Sequence, residues 1–82
     1  MLHVGHGNFV KTDKIVSIYS VQQYLSSPIK AAIDSARGDK RLIDLTTGKK
    51  TKSVIFTVSG QVVLSSIEGG TLIKRVKKSV DA

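Results

Sequence analysis

The apolar residues of this chain come in short, β-branched runs separated by glycine and polar residues, and that spacing constrains the fold more than any other feature. It is the pattern of strands joined by tight turns. Leu2 to Gly5 reads as a first strand and Gly5-His6-Gly7-Asn8 as a turn with one glycine at positive φ. Phe9 to Val10 and Lys14 to Tyr19 follow as extended structure around a Thr12-Asp13 corner. Alternation within Lys14 to Tyr19 is imperfect, as in a strand covered on both faces. Arg41 to Leu45 is another strand, and Thr46-Thr47-Gly48-Lys49-Lys50 a turn. Ser59-Gly60 marks a tight hairpin between Ser53 to Val58 and Gln61 to Ile67.

Two segments break the strand pattern. Ser27 suits an N-cap and Pro28 a first helical position, and Ile29, Ala32, Ile33 and Ala36 follow at helical spacing before Gly38. A central helix from Ser27 to Arg37 results. Thr71 to Val80 carries Leu72, Ile73 and Val76 at helical spacing among Lys74, Arg75, Lys77 and Lys78, which gives a short C-terminal helix, with a disordered tail beyond Lys77 as the alternative. The expected fold class is α+β, a small antiparallel sheet with one central helix.

At 82 residues the chain has room for one domain, 1–82. A domain of this size buries only about 60% of the surface its unfolded chain exposes. The chain has no cysteine, which excludes disulfides and thiolate zinc sites and leaves oligomerisation as the source of extra burial. With neither a cationic leader before an apolar run nor an apolar stretch near 18 residues, the expected compartment is the cytoplasm.

Thirteen Lys and Arg face six Asp and Glu, a formal charge of +7, which favours a polyanionic partner: DNA, RNA or anionic lipid. The cations gather between Lys40 and Lys52, where Lys40, Arg41, Lys49, Lys50 and Lys52 meet the single acid Asp44. Lysines on a strand-strand corner project from a rigid scaffold toward phosphate; a solvated charged loop is the alternative. Aromatic side chains are few. Phe9 and Phe56 lie in apolar runs and are expected in the core, leaving little beyond Tyr19 and Tyr24 for stacking on bases, which favours double-stranded DNA over RNA.

Signals for chemistry are weak. On a strand His3 and His6 fall on opposite faces with no further ligand nearby, so no metal site is expected. Asp13, Asp34, Asp39 and Asp44 have no spacing for paired acid and base work, and no nucleophile elbow occurs. Gly5-His6-Gly7-Asn8 and Gly69-Gly70-Thr71 lack a phosphate-loop fingerprint and read as turns. No enzyme activity, cofactor or small-molecule substrate is expected.

Taken together, Gly5-His6-Gly7-Asn8, Ile15-Val16-Ser17-Ile18, Ser27-Pro28-Ile29-Lys30, Ala36-Arg37, Leu42-Ile43-Asp44, Gly48-Lys49-Lys50-Thr51-Lys52-Ser53-Val54-Ile55 and Val63-Leu64-Ser65 give the chain a clear likeness. It resembles the RemA-type extracellular-matrix regulatory proteins of bacteria over nearly its whole length. The resemblance implies a nucleoid-associated activator of biofilm-matrix and osmoprotection genes, with a fold similar to LytTR DNA-binding domains. It also implies a closed homo-oligomeric ring whose basic outer surface lets duplex DNA wrap around it. Carried over by motif, the DNA contacts fall on Lys49 and Lys50, with Lys14 and Lys52 as further basic positions. All four are lysine where better-known members favour arginine. Lysine binds phosphate as a point charge but lacks the planar fork that reads a guanine edge, so affinity is expected to persist with weaker base discrimination. Two other classes share the composition: a basic protein-interaction or assembly module, and an RNA-binding protein.

Overall fold

The apolar runs divide residue by residue between the two faces of one sheet. A computed structural model describes residues 1–5, 7–21 and 26–81, with the side chains of 79–81 left aside. Its elements are β1 (Leu2–Gly5), β2 (Asn8–Val10), a 3-10 turn (Thr12–Lys14), β3 (Ile15–Ser20), α1 (Ser27–Gly38), β4 (Leu42–Asp44), β5 (Ser53–Thr57), β6 (Val62–Ser65) and α2 (Gly69–Asp81). Val54, Val62 and Leu64 pack with Ile33 and Ala36 of α1 on one face. Ile55 and Val63 turn the other way and meet Leu2, Val4 and Leu72. The sheet is thus covered by α1 on one side and by β1 and α2 on the other, which is why β5 and β6 read as continuous apolar runs.

The α+β expectation holds, with one difference in the sheet. Strand order is β3-β5-β6-β4, and β4 pairs with β6 in parallel while the other ladders are antiparallel. The β5–β6 hairpin causes this: the chain reverses after β4 and again after β5, and β6 lies between the two. A separate two-stranded ladder joins β1 and β2, with Gly5 and Gly7 at φ 119° and 74°, as the turn required.

The imperfect alternation of β3 has a local origin. Ile15 pairs with Thr57 and Ser17 with Phe56, so Val16 is an extra residue, a β-bulge. The bulge puts Ile15 and Ile18, three apart, into the same core cluster and leaves Val16 63% exposed. Phe9 also departs from expectation. It is 56% exposed, because β2 pairs only with β1, and it rests on the His3 ring at 5.1 Å between centroids. Phe56 is half-buried beneath Tyr19, edge to face at 5.5 Å.

Helix α1 starts one residue earlier than its sequence signals, with Ser26 as N-cap and Pro28 in the first turn. It ends at Gly38, the expected stop, and the left-handed residue that closes it is Lys40. Lys40 has φ 60°, its N–H donates to Arg37 O at 3.3 Å, and Arg41 N–H reaches back to Ala36 O at 2.7 Å, which is the Schellman closure. Helix α2 runs to Asp81, so the C-terminal segment is helical. Gly69-Gly70-Thr71 forms its first turn, and Gly69 is needed for space: a Cβ there would strike Ser20 Oγ and lie 3.0 Å from Ser20 Cα.

Candidate nucleic-acid interface

The segment from β4 to β5 is pinned to β6 at both ends. Leu45 N–H donates to Leu64 O and Lys52 N–H to Ser65 O, each at 2.9 Å, so the loop arches over the end of β6. Within it Lys49 N–H donates to Thr46 O at 3.0 Å, and the two central residues, Thr47 and Gly48, have φ 50° and 84°. Positive φ at both positions is the type I′ arrangement, and Gly48 adopts it without strain.

Asp44 braces the loop from below. Its carboxylate accepts from the Thr46 hydroxyl and, at 2.9 Å, from the Thr46 N–H. These bonds, the hydroxyl's first, hold the carboxyl below the ordinary aspartate range. The one acid of the basic run is therefore engaged with Thr46. Lys49, Lys50 and Lys52 are exposed, and none forms an ion pair among the described residues, where the pairs are Arg37 with Asp34 at 3.3 Å and Arg41 with Asp39 at 3.1 Å.

Lys50 and Lys52 line a groove of about 380 Å³ together with Ser20, Val21, Glu68 and the Gly69-Gly70 start of α2. The unsatisfied N–H groups and the positive dipole end of a 13-residue helix thus lie beside two of the four expected lysines, with Glu68 as the opposing charge. Lys49 stands on the adjacent turn.

Lys14 does not join them. Ile15 pairs with Thr57 at one end of the β3–β5 ladder and Ser20 with Ser53 at the other. Lys14 and Lys52 are therefore separated by the length of β3, about 20 Å. The cationic run of the sequence is also split: Lys40 and Arg41 precede β4 while Lys49, Lys50 and Lys52 follow it. Arg41 is half-buried and donates to Gly60 O at 2.6 Å and to Asp39, so it serves the β5–β6 turn and drops out of the basic surface. Arg75, counted with the C-terminal cations, donates to His3 O at 3.0 Å and ties α2 to β1.

Other expectations have their places too. His3 Nε2 accepts from Gly7 N–H at 3.3 Å, and among the described residues no three His, Asp or Glu side chains gather where a metal ion could sit. His6 and Tyr24, weighed above as a metal ligand and an aromatic, lie outside the described residues. No helix among the described residues is long and apolar enough to cross a membrane.

A family profile described as RemA-like, extracellular matrix regulatory protein A-like, matches residues 1–76. The chain belongs to this family. A relative from Acaryochloris marina is 41% identical over 81 residues, covering 99% of this chain and 89% of its own. One from Oceanobacillus iheyensis is 41% identical over 76 residues, 93% and 85% of the two chains. Another, from Pseudothermotoga lettingae, is 32% identical over 80 residues, 98% and 85%. All three are provisionally named regulatory proteins. Membership supports a regulatory role, and the RemA-like match includes the whole β4–β5 loop and Lys14.

Proposed function

We propose that this RemA-like chain is a non-enzymatic, cytoplasmic, nucleoid-associated transcriptional regulator that binds duplex DNA through phosphate contacts repeated around a homo-oligomeric ring. The observation that carries the proposal is the loop over β6: Lys49, Lys50 and Lys52 stand exposed, and without ion pairs among the described residues, on a segment anchored at both ends. Ammonium groups held in this way release counterions from a phosphate backbone without ordering a mobile loop first. Oligomerisation is supported by exposed apolar side chains, Val16 on the β3 edge and Ile73 on the neighbouring side of α2. Repetition multiplies weak contacts and offsets the missing arginine forks. Genes of biofilm matrix are the targets that the family's description points to.

Mobility shift over a salt series with unrelated duplexes tests the proposal. Binding should fall steeply with salt and vary little with sequence, and Lys49→Ala and Lys50→Ala should each lower the salt slope by about one unit per protomer engaged. No shift at low salt would leave the interaction-module reading. Exposed Phe9 supplies one aromatic platform, so competition with structured RNA belongs in the same experiment, and preferential capture of RNA would overturn the duplex assignment.

A further inference from the structure

The basic surface has a second pole. We propose that Lys11, Lys14 and Lys77 form a phosphate-contacting cluster one strand length from the β4–β5 loop, so that each protomer grips both backbones bordering one major groove of a duplex. This rests on the duplex-binding reading above.

Helix α2 sets up the geometry. It begins where Gly69 abuts Ser20, at the end of β3, and then runs back along that strand. Ile73, Val76 and Lys77 line one surface groove with Thr12, Ile15 and Val16, so the helix delivers Lys77 beside the 3-10 turn. That turn supplies the other two cations. Lys11 and Lys14, which flank Thr12 and Asp13 in sequence, both line a second groove with Phe9, Thr57 and Ser59. Their backbone is held firmly: Lys14 N–H donates to Lys11 O at 3.0 Å, and Lys14 O accepts from Val58 N–H at 2.8 Å.

The charge at this pole is free to act on a partner. All three lysines are exposed, none is in an ion pair among the described residues, and the carboxylate in the turn is Asp13 alone. Arg75, two residues earlier on α2, is committed to His3 O. The C-terminal cations therefore divide by contact: Arg75 is bound to β1, and Lys77 shares a groove with Thr12 of the 3-10 turn that carries Lys14. The distance between poles, about 20 Å along β3, exceeds the major-groove width of about 12 Å. Lysine side chains reaching inward from the two poles suit phosphates on the two banks of that groove, which they bind as point charges.

The test is fluorescence anisotropy of the full chain with a duplex of arbitrary sequence over a salt series. Lys11→Ala/Lys77→Ala should lower the salt slope by about two units per protomer engaged. A matched pair, Lys30→Ala/Lys74→Ala, removes the same charge from exposed helical positions and should leave the slope close to that of the unaltered chain. Equal losses from the two pairs would reduce the effect to the overall field and overturn the second pole. An unchanged slope in Lys11→Ala/Lys77→Ala, with Lys49→Ala/Lys50→Ala still lowering it, overturns the pole and leaves duplex binding standing. An unaltered chain that does not bind duplex at low salt overturns both. Thermal melts of the same variants separate a local role: if Lys77 only complements the dipole of α2, its loss lowers the melting temperature and not the slope.

Discussion

Lys40 holds a left-handed backbone that costs an L-residue about 1–2 kcal/mol, and it does so to let Arg41 N–H close the end of α1. Glycine relieves most of that strain while adding freedom to the unfolded chain. Lys40→Gly should therefore stabilise the domain by about 1 kcal/mol, read as a higher urea midpoint with an unchanged slope. Asp44 makes a pH prediction. Its folded-state carboxyl is depressed by the two Thr46 hydrogen bonds, so the stability it contributes is present above the unfolded value and lost as pH falls through the lower, folded one. Urea midpoints should thus hold from neutral pH and decline below about pH 4, with a smaller decline in Asp44→Ala. Both residues sit in the cationic stretch of the sequence, yet both act on the backbone.

At the scale of elements, the contact between α2 and β3 decides where the basic loop and the second pole lie. Gly69 permits an approach that no side chain could, since a Cβ there would strike the Ser20 hydroxyl and meet its Cα at 3.0 Å. Gly69→Ala should lower stability by about 1–3 kcal/mol and weaken DNA binding with it, because the groove shared by Lys50, Lys52 and α2 opens. Ser20→Gly in the same chain should recover part of the stability in thermal melts, and no recovery would place the strain elsewhere. Most elements were legible in the sequence because their causes are local: β-branched runs, Pro28 near a helix start, glycines in turns. The bulge at Val16 was not. It exists because Ile15 and Ile18 must both enter the core beside Ile55, a demand made by a partner strand some forty residues away.

For the whole molecule, the two-sided core and the two-ended distribution of charge are the properties that matter. Apolar side chains left outside, Val16 and Ile73 on one flank, make assembly a measurable expectation. Light scattering should show a multimer, and Val16→Lys/Ile73→Lys should reduce its mass while circular dichroism stays the same; a monomer in the unaltered chain would remove the ring. Cooperative duplex binding should fall with the mass.

Local pattern in the sequence determined the α+β class, the helix after Pro28, the hairpin at Gly60 and the clustering of Lys49, Lys50 and Lys52, since each depends on residues within a few positions of one another. Tertiary structure alone decided that β4 runs parallel to β6, that Phe9 faces solvent, and that Arg41 and Arg75 hold the fold together. It also decided that Lys14 stands a strand length from the loop, and that α2 brings Lys77 into a groove with Thr12 of the same 3-10 turn. These outcomes follow from which strands pair and which face each helix covers, and such choices are made between residues far apart in the chain.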